Sequence, residues 1–186
     1  MGERRKVLLV ASTGGHLEQL TRLERAMRPT LDEVEYATFD DPQSRSLLAG
    51  RRVHTVDYIP PRGLSKAVRA ERPALRILRD GDFTDVVSTG SAIAVPFLSA
   101  ASMLGLRCHY IESAARSEGP SLSGRLVSKL PRIYLYTQYP FWAERRWQYR
   151  GSVFDRYRLV GPSSRGRGTA PVRCRRCRRR PRRPRP

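Results

Sequence analysis

Cysteine and long apolar runs are both scarce in this chain of 186 residues. Its three cysteines do not make a disulfide framework, so we expect a reducing compartment. The longest apolar stretch, residues 92–106, is shorter than the roughly 20 residues that span a bilayer, and a buried helix explains it better. The apolar stretch that follows Lys6 stops at a Gly-Gly-His turn and is not a secretory signal. These absences favour a cytoplasmic protein.

Acidic residues are scarce as well, because 17 Asp and Glu stand against 36 Lys and Arg, and the net charge is +19. Such a charge suggests a nucleic-acid binder until it is located along the chain. Twelve arginines and no acidic residue lie in residues 158–186, so residues 1–157 carry only +7. Residues 161–186 have almost no apolar content and cannot fold by themselves. The sequence therefore predicts a folded domain, residues 1–160, and a disordered Arg/Pro-rich tail, residues 161–186.

Motifs for metals and dinucleotides are incomplete. Cys174 and Cys177 provide half of a zinc site at most, because no second pair of ligands lies nearby. The dinucleotide fingerprint G-x-G-x-x-G is not matched, since no glycine stands at position 18. We therefore expect neither a bound metal ion nor another cofactor.

Strand-like and helix-like segments alternate along residues 6–138. The first segment, "KVLLVAS", is a continuous Val/Leu-rich run of the kind that forms a strand covered on both faces. This alternation favours an α/β fold with an open, mostly parallel sheet. The predicted strands are 6–12, 33–39, 52–58, 83–90, 107–113 and 132–138, and the predicted helices are 17–27, 64–80 (split before Pro73), 92–104 and 121–130.

The loop between the first strand and the first helix is a candidate ligand site. In doubly wound sheets, ligands bind beyond the carboxyl ends of the strands, where helices begin. Thr13, Gly14 and Gly15 lie there, and glycines let backbone amides approach an anion at a helix N-terminus. The alternative is a plain tight turn.

A second glycine-containing loop between a strand and a helix, "STGSA" at residues 88–92, lies later in the chain. Thr89 and Ser91 offer hydroxyls on either side of Gly90 at another helix start. Two such loops at one sheet edge favour phosphate binding. The alternative is that Ser91 only caps its helix.

Two titratable residues are candidates for catalysis. His16 could be a general base or a donor to a phosphate oxygen, and its alternative role is to stabilise the turn. Glu112 ends an apolar strand and points into the same crevice, where a carboxylate could bind sugar hydroxyls or act as a base. Its alternative role is to pair with Arg116.

Several segments in order resemble a known family. They are "STGGHLEQL", "VVSTGSAIAVPFLSAASMLG", "YIESAARSEGPSLSGRLVSKL", "YTQYPFW" and "YRGSVF". Together they are similar to the PssD/CpsF-type oligosaccharide and capsule biosynthesis proteins, bacterial relatives of the membrane-anchor subunit of the eukaryotic dolichol-linked N-acetylglucosaminyltransferase. The resemblance covers about residues 5 to 157. More distantly, the Gly-Gly-His loop and the strand-end glutamate resemble the amino-terminal half of MurG.

The resemblance implies half of an enzyme. A GT-B glycosyltransferase has two Rossmann-like halves, and this family divides them between two chains. The half that this chain resembles binds the lipid-diphosphate-linked sugar acceptor and meets the inner face of the cell membrane peripherally. The partner, a small glycosyltransferase subunit, carries the nucleotide-sugar site. The product would enter capsule or exopolysaccharide synthesis, and we expect little activity from this chain alone.

Aromatic residues concentrate late in the chain, where nine of the 15 lie between Tyr134 and Tyr157. Tyr and Trp interleaved with Arg are typical of interfaces and of the headgroup region of an anionic bilayer. We expect Trp142, Trp147 and Tyr149, placed beyond the last predicted strand, to contact the partner or the membrane. The alternative is that these rings pack onto the sheet.

Two rival functions remain open at this point. The arginine-rich tail could bind nucleic acid or another anionic surface, but its support lies outside the folded domain, so nucleic acid is the less favoured partner. A free-standing nucleotide-binding enzyme is disfavoured because the fingerprint and a second domain are absent.

Overall fold

Seven parallel strands form one open sheet in the computed structural model, which describes residues 4–60 and 69–155. Across the sheet the order is β3-β2-β1-β4-β5-β6-β7, and every neighbouring pair is parallel. The predicted fold class is therefore confirmed. The predicted boundary at residue 160 and the tail, 161–186, lie outside the described residues. The strands are β1 (Lys6–Ala11), β2 (Glu33–Phe39), β3 (Val53–Val56), β4 (Asp85–Gly90), β5 (Arg107–Ile111), β6 (Ile133–Thr137) and β7 (Trp147–Tyr149).

Helices connect most of these strands and pack on both faces of the sheet. Of the predicted helix 64–80, residues 64–68 lie outside the described part. In the described residues, the helix found there begins at Glu71, with Pro73 in its first turn, where proline is tolerated. The helices are α1 (Gly15–Met27), α2 (Pro42–Leu47), α3 (Glu71–Asp80), α4 (Ala94–Met103) and α5 (Leu122–Val127), with 3₁₀ turns at Arg28–Thr30 and Pro140–Trp142.

The sequence did not predict α2. This short helix begins at a capping box, in which the Ser44 amide donates to the Asp41 carboxylate at 2.8 Å. The Asp41 amide donates in return to the Ser44 hydroxyl at 3.0 Å. Pro42 occupies the first helical position, where its missing N–H costs nothing. Local capping thus forms this helix without an extended apolar stripe.

Two apolar clusters fix the helices to the sheet. On one face, Leu17 and Leu20 of α1 pack against Val7 and Leu9 of β1, and all four are buried. Burying a leucine of this kind contributes about 1.5–3 kcal/mol. The larger cluster covers the other face and draws on β1, β4, β5, β6 and α4; its members include Leu8, Val10, Val86, Phe97, Leu98, Tyr110 and Leu135.

The strand order reverses between β1 and β4. β2 and β3 lie on one side of this point, and β5, β6 and β7 lie on the other. In open α/β sheets the ligand crevice forms at such a switch point, outside the carboxyl ends of the strands. The register of β1 and β4 shifts between Val10 and Ala11, so that Ala11 pairs with Gly90. The loops after β1 and β4 therefore lie at the position where a ligand is expected.

Ion pairs tie the strands together near their amino ends. Asp85 accepts two hydrogen bonds from Arg107, both at 2.9 Å. Glu35 contacts Lys6 Nζ at 2.9 Å and His54 Nε2 at 2.6 Å. Although burial by itself raises the pKa of Glu35, hydrogen bonds with Lys6 and His54 lower that pKa to about 2. These charges lie away from the crevice and serve the fold.

Candidate functional site

Helix α2 supports the glycine turn between β1 and α1 through hydrogen bonds. Gln43 of α2 accepts a hydrogen bond from the Gly14 amide, and its own side-chain amide donates to the Gly14 carbonyl at 3.4 Å. Hydrogen bonds from the Ser44 amide and the Thr13 hydroxyl lower the pKa of Asp41 below its usual value. The amide of Gly14 therefore already has an acceptor within the chain.

Gly14 and Gly15 have different local roles. Gly14 has a φ of 89°, in the region that favours glycine, whereas Gly15 is the first residue of α1. No heavy atom lies within 4 Å of a Cβ built on Gly15, so this position opens to space where a ligand can approach. No side chain caps the N-terminus of α1, which leaves the amides of its first turn directed toward that space.

His16 is locked against the second loop. Its Nδ1 lies 2.8 Å from the Thr89 carbonyl oxygen, and the Thr89 hydroxyl donates to the His16 carbonyl, also at 2.8 Å. Because a carbonyl oxygen only accepts, Nδ1 carries the proton. In the neutral ring Nε2 is then the unprotonated nitrogen. The two predicted loops are thus joined by a reciprocal pair of hydrogen bonds.

Gly90 allows this close approach. Its φ is 110°, and a Cβ built on it would lie 3.0 Å from the Tyr110 hydroxyl and 3.2 Å from His16 Cε1. The neighbouring Ser91 has a φ of 65°. The alternative role for Ser91 was wrong, because α4 is preceded by Ile93 at its N-cap and has no side-chain cap. Gly90 and Ser91 thus both have positive φ angles at the crevice.

Glu112 is buried at the end of β5 and accepts four hydrogen bonds. The donors are the Ser113 amide at 3.2 Å, the Ser121 amide at 2.8 Å, the Ser121 hydroxyl at 3.1 Å and the Tyr110 hydroxyl at 3.4 Å. Among the described residues, no ion pair joins Glu112 to Arg116, so that alternative was wrong. The carboxylate holds the start of α5 in place, and its catalytic role stays a prediction.

An open cleft of about 420 Å³ lies between these loops. It brings together His16 from the first loop, Ser91 from the second, and Glu112 and Arg116 from the third. Arg116 is exposed, and its charge acts on the Tyr110 hydroxyl, where it opposes the rise in pKa that burial causes. The remaining lining residues are small or apolar: Ala92, Ser113, Ala115, Ser121, Leu122 and Ser123.

Two glutamines of the site were missed by sequence reasoning. Gln19 of α1 and Gln138, which follows β6, hydrogen-bond to each other at 3.0 Å and to the loop after β5. The available signal was a buried-looking amide directly after the apolar strand "IYLYT". Nothing in the local sequence links it to Gln19, which lies more than a hundred residues earlier in the chain.

The structure corrects the placement of the late aromatic residues. Trp147 and Tyr149 do not lie beyond the last strand, because they form β7, which pairs with β6. Trp147 is half-buried against the larger apolar cluster, and its ring lies 6.1 Å from Tyr110 and 5.3 Å from Trp142. Tyr149 is 38% exposed. Contact of Trp142, Trp147 and Tyr149 with a partner or membrane stays a prediction.

Within 4–60 and 69–155, no group of three or more His, Cys, Asp or Glu side chains could hold a metal ion. Across the same ranges, no helix has the length and apolar character to cross a membrane.

Comparison with known proteins identifies solved structures with the same fold. No protein family and no curated protein sequence matches the chain. MurG from Acinetobacter baumannii aligns with a TM-score of 0.65 at 16% identity, over 78% of this chain and 45% of that chain. MnaA from S. aureus, solved with UDP, gives a TM-score of 0.56 at 12% identity, over 73% and 38%. A UDP-GlcNAc 2-epimerase from Methanocaldococcus jannaschii gives 0.54 at 14%, over 73% and 39%.

These likenesses show an open, parallel, Rossmann-like α/β fold. The open parallel sheet matches the amino-terminal half of MurG. The chain spans less than half the length of each of these three proteins.

Proposed function

We propose that this chain is the acceptor-binding subunit of a two-chain GT-B glycosyltransferase of the PssD/CpsF type. Its partner would carry the nucleotide-sugar site, and the acceptor would be a lipid-diphosphate-linked saccharide in capsule or exopolysaccharide biosynthesis. The observation that carries the proposal is the cleft at the switch point, where His16 and Arg116 face the same space.

His16 supplies the proton acceptor in the proposed reaction. An acceptor-sugar hydroxyl attacks the anomeric carbon of the donor, the bond from that carbon to the nucleotide diphosphate breaks, and the hydroxyl proton passes to His16 Nε2. The hydrogen bond from Nδ1 to Thr89 fixes both the tautomer and the orientation that this transfer needs. Glu112 lines the same cleft and positions Ser121 at its wall.

The acceptor diphosphate would lie between α1 and Arg116. The uncapped first turn of α1 offers backbone amides and the positive end of the helix dipole, and Gly15 leaves room for a phosphate to approach. Arg116 is the permanently charged side chain among the lining residues of this cleft. Ser91 and Ser123 add hydroxyls that suit phosphate or sugar oxygens.

The lipid part of such an acceptor requires a location at the inner face of the cell membrane. Exposed apolar side chains support a peripheral contact there. Leu122 lies at the rim of the cleft and is 52% exposed, and Phe141 is 71% exposed. We therefore propose a cytoplasmic protein that meets the membrane peripherally through the rim of the cleft.

Titration of the purified chain with a water-soluble acceptor analogue tests this site. The probe is a short isoprenyl diphosphate that carries one sugar. Arg116→Ala should weaken binding by about 10-fold or more, because a hydrogen bond to a charged group contributes about 1.5–3 kcal/mol. Arg125→Ala is the matched control, since Arg125 is exposed on α5 and does not line the cleft. Absence of binding to the unmodified chain, or equal loss in both variants, would contradict the assignment.

A further inference from the structure

The side-chain amide of Gln138 joins its own segment to three others, two of which, α1 and the loop after β5, supply residues to the cleft. It is 5% exposed and lies directly after β6. Its nitrogen donates to the Glu112 carbonyl at 2.9 Å and to Gln19 Oε1 at 3.0 Å. Its oxygen accepts from the Val153 amide at 3.0 Å and from the Ser152 hydroxyl at 3.5 Å. Both donor protons and the acceptor oxygen of this buried amide are therefore used.

Gln19 extends this network into α1. Its oxygen also accepts from the Ala114 amide at 2.9 Å, and its nitrogen donates to the Ser113 hydroxyl at 3.1 Å. Gln19 lies three residues after His16 on the same helix, so the two side chains belong to neighbouring turns. The glutamine pair thus connects the helix that carries His16 to the loop that carries Glu112 and Arg116.

We propose that Gln138 is a positioning residue, which acts with Gln19 to set the separation between the two walls of the cleft. His16 lies on one wall, and Glu112 and Arg116 lie on the other. Along the loop from Glu112 to Ala114, three groups are bonded to the glutamine pair: the Glu112 carbonyl, the Ser113 hydroxyl and the Ala114 amide. An apolar side chain at position 138 would fill the volume but leave the Glu112 carbonyl and Val153 amide without this partner.

The expected effect of Gln138 on catalysis rests on the proposed function, whereas its effect on the separation of the cleft walls is a property of the fold. Two kinds of measurement therefore separate the two claims. The first follows backbone protection in the full chain and needs no activity. The second follows acceptor use in the assembled enzyme.

Amide hydrogen exchange of the full chain measures the positioning directly. In Gln138→Leu, protection of Ala114 and Val153 should fall about 5- to 10-fold, since each loses a hydrogen bond or its support. Protection in the β1 and β4 amides should stay unchanged. Gln148→Leu is the matched control, because Gln148 is exposed on β7 and, within the described residues, its side chain hydrogen-bonds to Arg150 alone. Unchanged protection of Ala114 in Gln138→Leu would overturn the proposal.

Gln138→Glu provides a second variant with a pH signature. An ionised carboxylate cannot donate to the Glu112 carbonyl or to Gln19, whereas the protonated acid can donate one hydrogen bond. The protection factor of Ala114 should therefore recover as the pH is lowered in Gln138→Glu but not in Gln19→Leu. If Gln138→Leu does not fold, the pH dependence of Ala114 protection in Gln138→Glu and Gln19→Leu decides whether Gln138 has a positioning role. Absence of recovery in folded Gln138→Glu would count against a positioning role.

In the assembled enzyme, Gln138→Leu should lower kcat/KM for the acceptor by about 10- to 100-fold, because misplacing groups by about 1 Å has effects of this size. The KM for the nucleotide sugar should not change, since that site is proposed to lie on the partner. Equal effects on both substrates would indicate a merely structural role. If even the unmodified chain gives no turnover, the proposed function fails, while the exchange measurements still decide the role of Gln138.

Discussion

At the scale of single residues, the backbone at Gly90 passes unusually close to two neighbouring side chains. His16 and Tyr110 both lie within 3.3 Å of the position that a Cβ would occupy. The hydrogen bonds between His16 and Thr89 depend on this approach. A glycine is thus needed here for two reasons, a positive φ and the lack of space.

Gly90→Ala should therefore displace His16 and destabilise the fold by about 1–3 kcal/mol. Gly50→Ala is the matched control, because Gly50 also has a positive φ, 75°, but nothing lies within 4 Å of its Cβ position. Urea unfolding of both variants separates backbone strain from the contact. Equal stability of the two variants, with the His16 imidazole resonances unshifted in Gly90→Ala, would refute this account.

At the scale of helices and strands, the alternation of strand-like and helix-like segments made the architecture predictable. The continuous apolar run "KVLLVAS" gave β1, because a strand buried on both faces needs such a sequence, and each other predicted strand is also present. β7 could not be predicted in this way, since three residues form a strand only where the edge of β6 is available. The short helix α2 depends on its capping box rather than on an apolar pattern.

The candidate site was predictable in part from the sequence. Strand order at a switch point brings loop residues together, so His16, Ser91 and Glu112 could be expected in one crevice. The link between Gln19 and Gln138 spans 119 residues and depends on side-chain positions that only the packed structure defines. The sequence could not show that the donors to Glu112 come from Ser113, Ser121 and Tyr110.

The ion pairs of Glu35 near the amino ends of the strands predict that the stability of the fold depends on pH. The pKa of Glu35 in the folded chain is lowered from 4.5 to about 2. Its contribution to stability is therefore fully present above about pH 4.5 and is lost as the pH falls toward 2. The difference in unfolding free energy between the unmodified chain and Glu35→Gln should be largest near pH 7 and should shrink between pH 4.5 and 2.

Urea unfolding at pH 7, 4.5 and 3 measures that difference. Glu144→Gln serves as the control, because Glu144 is exposed and makes no ion pair among those found in the described residues. A difference between the unmodified chain and Glu35→Gln that does not vary with pH would show that the ion pairs of Glu35 do not act as described.

At the scale of the whole molecule, the cleft is an open groove rather than a closed pocket. Its lining comes from the carboxyl ends of β1, β4 and β5, and it is open to solvent. Glycosyl transfer needs water excluded from the reacting sugar. The region of MurG that matches this chain is 45% of that protein. In the proposed enzyme, the partner subunit would close the cleft.

The most direct test is a reconstitution with the proposed partner, a small glycosyltransferase subunit that carries the nucleotide-sugar site. Membranes that hold lipid-diphosphate-linked acceptor would receive a panel of nucleotide sugars together with this chain, the partner, or both, and transfer of labelled sugar to lipid would be measured. We expect transfer only when both chains are present, and a decrease on the order of 10²-fold with His16→Ala. Robust transfer by this chain without a partner, or full activity of a folded His16→Ala complex, would contradict the account.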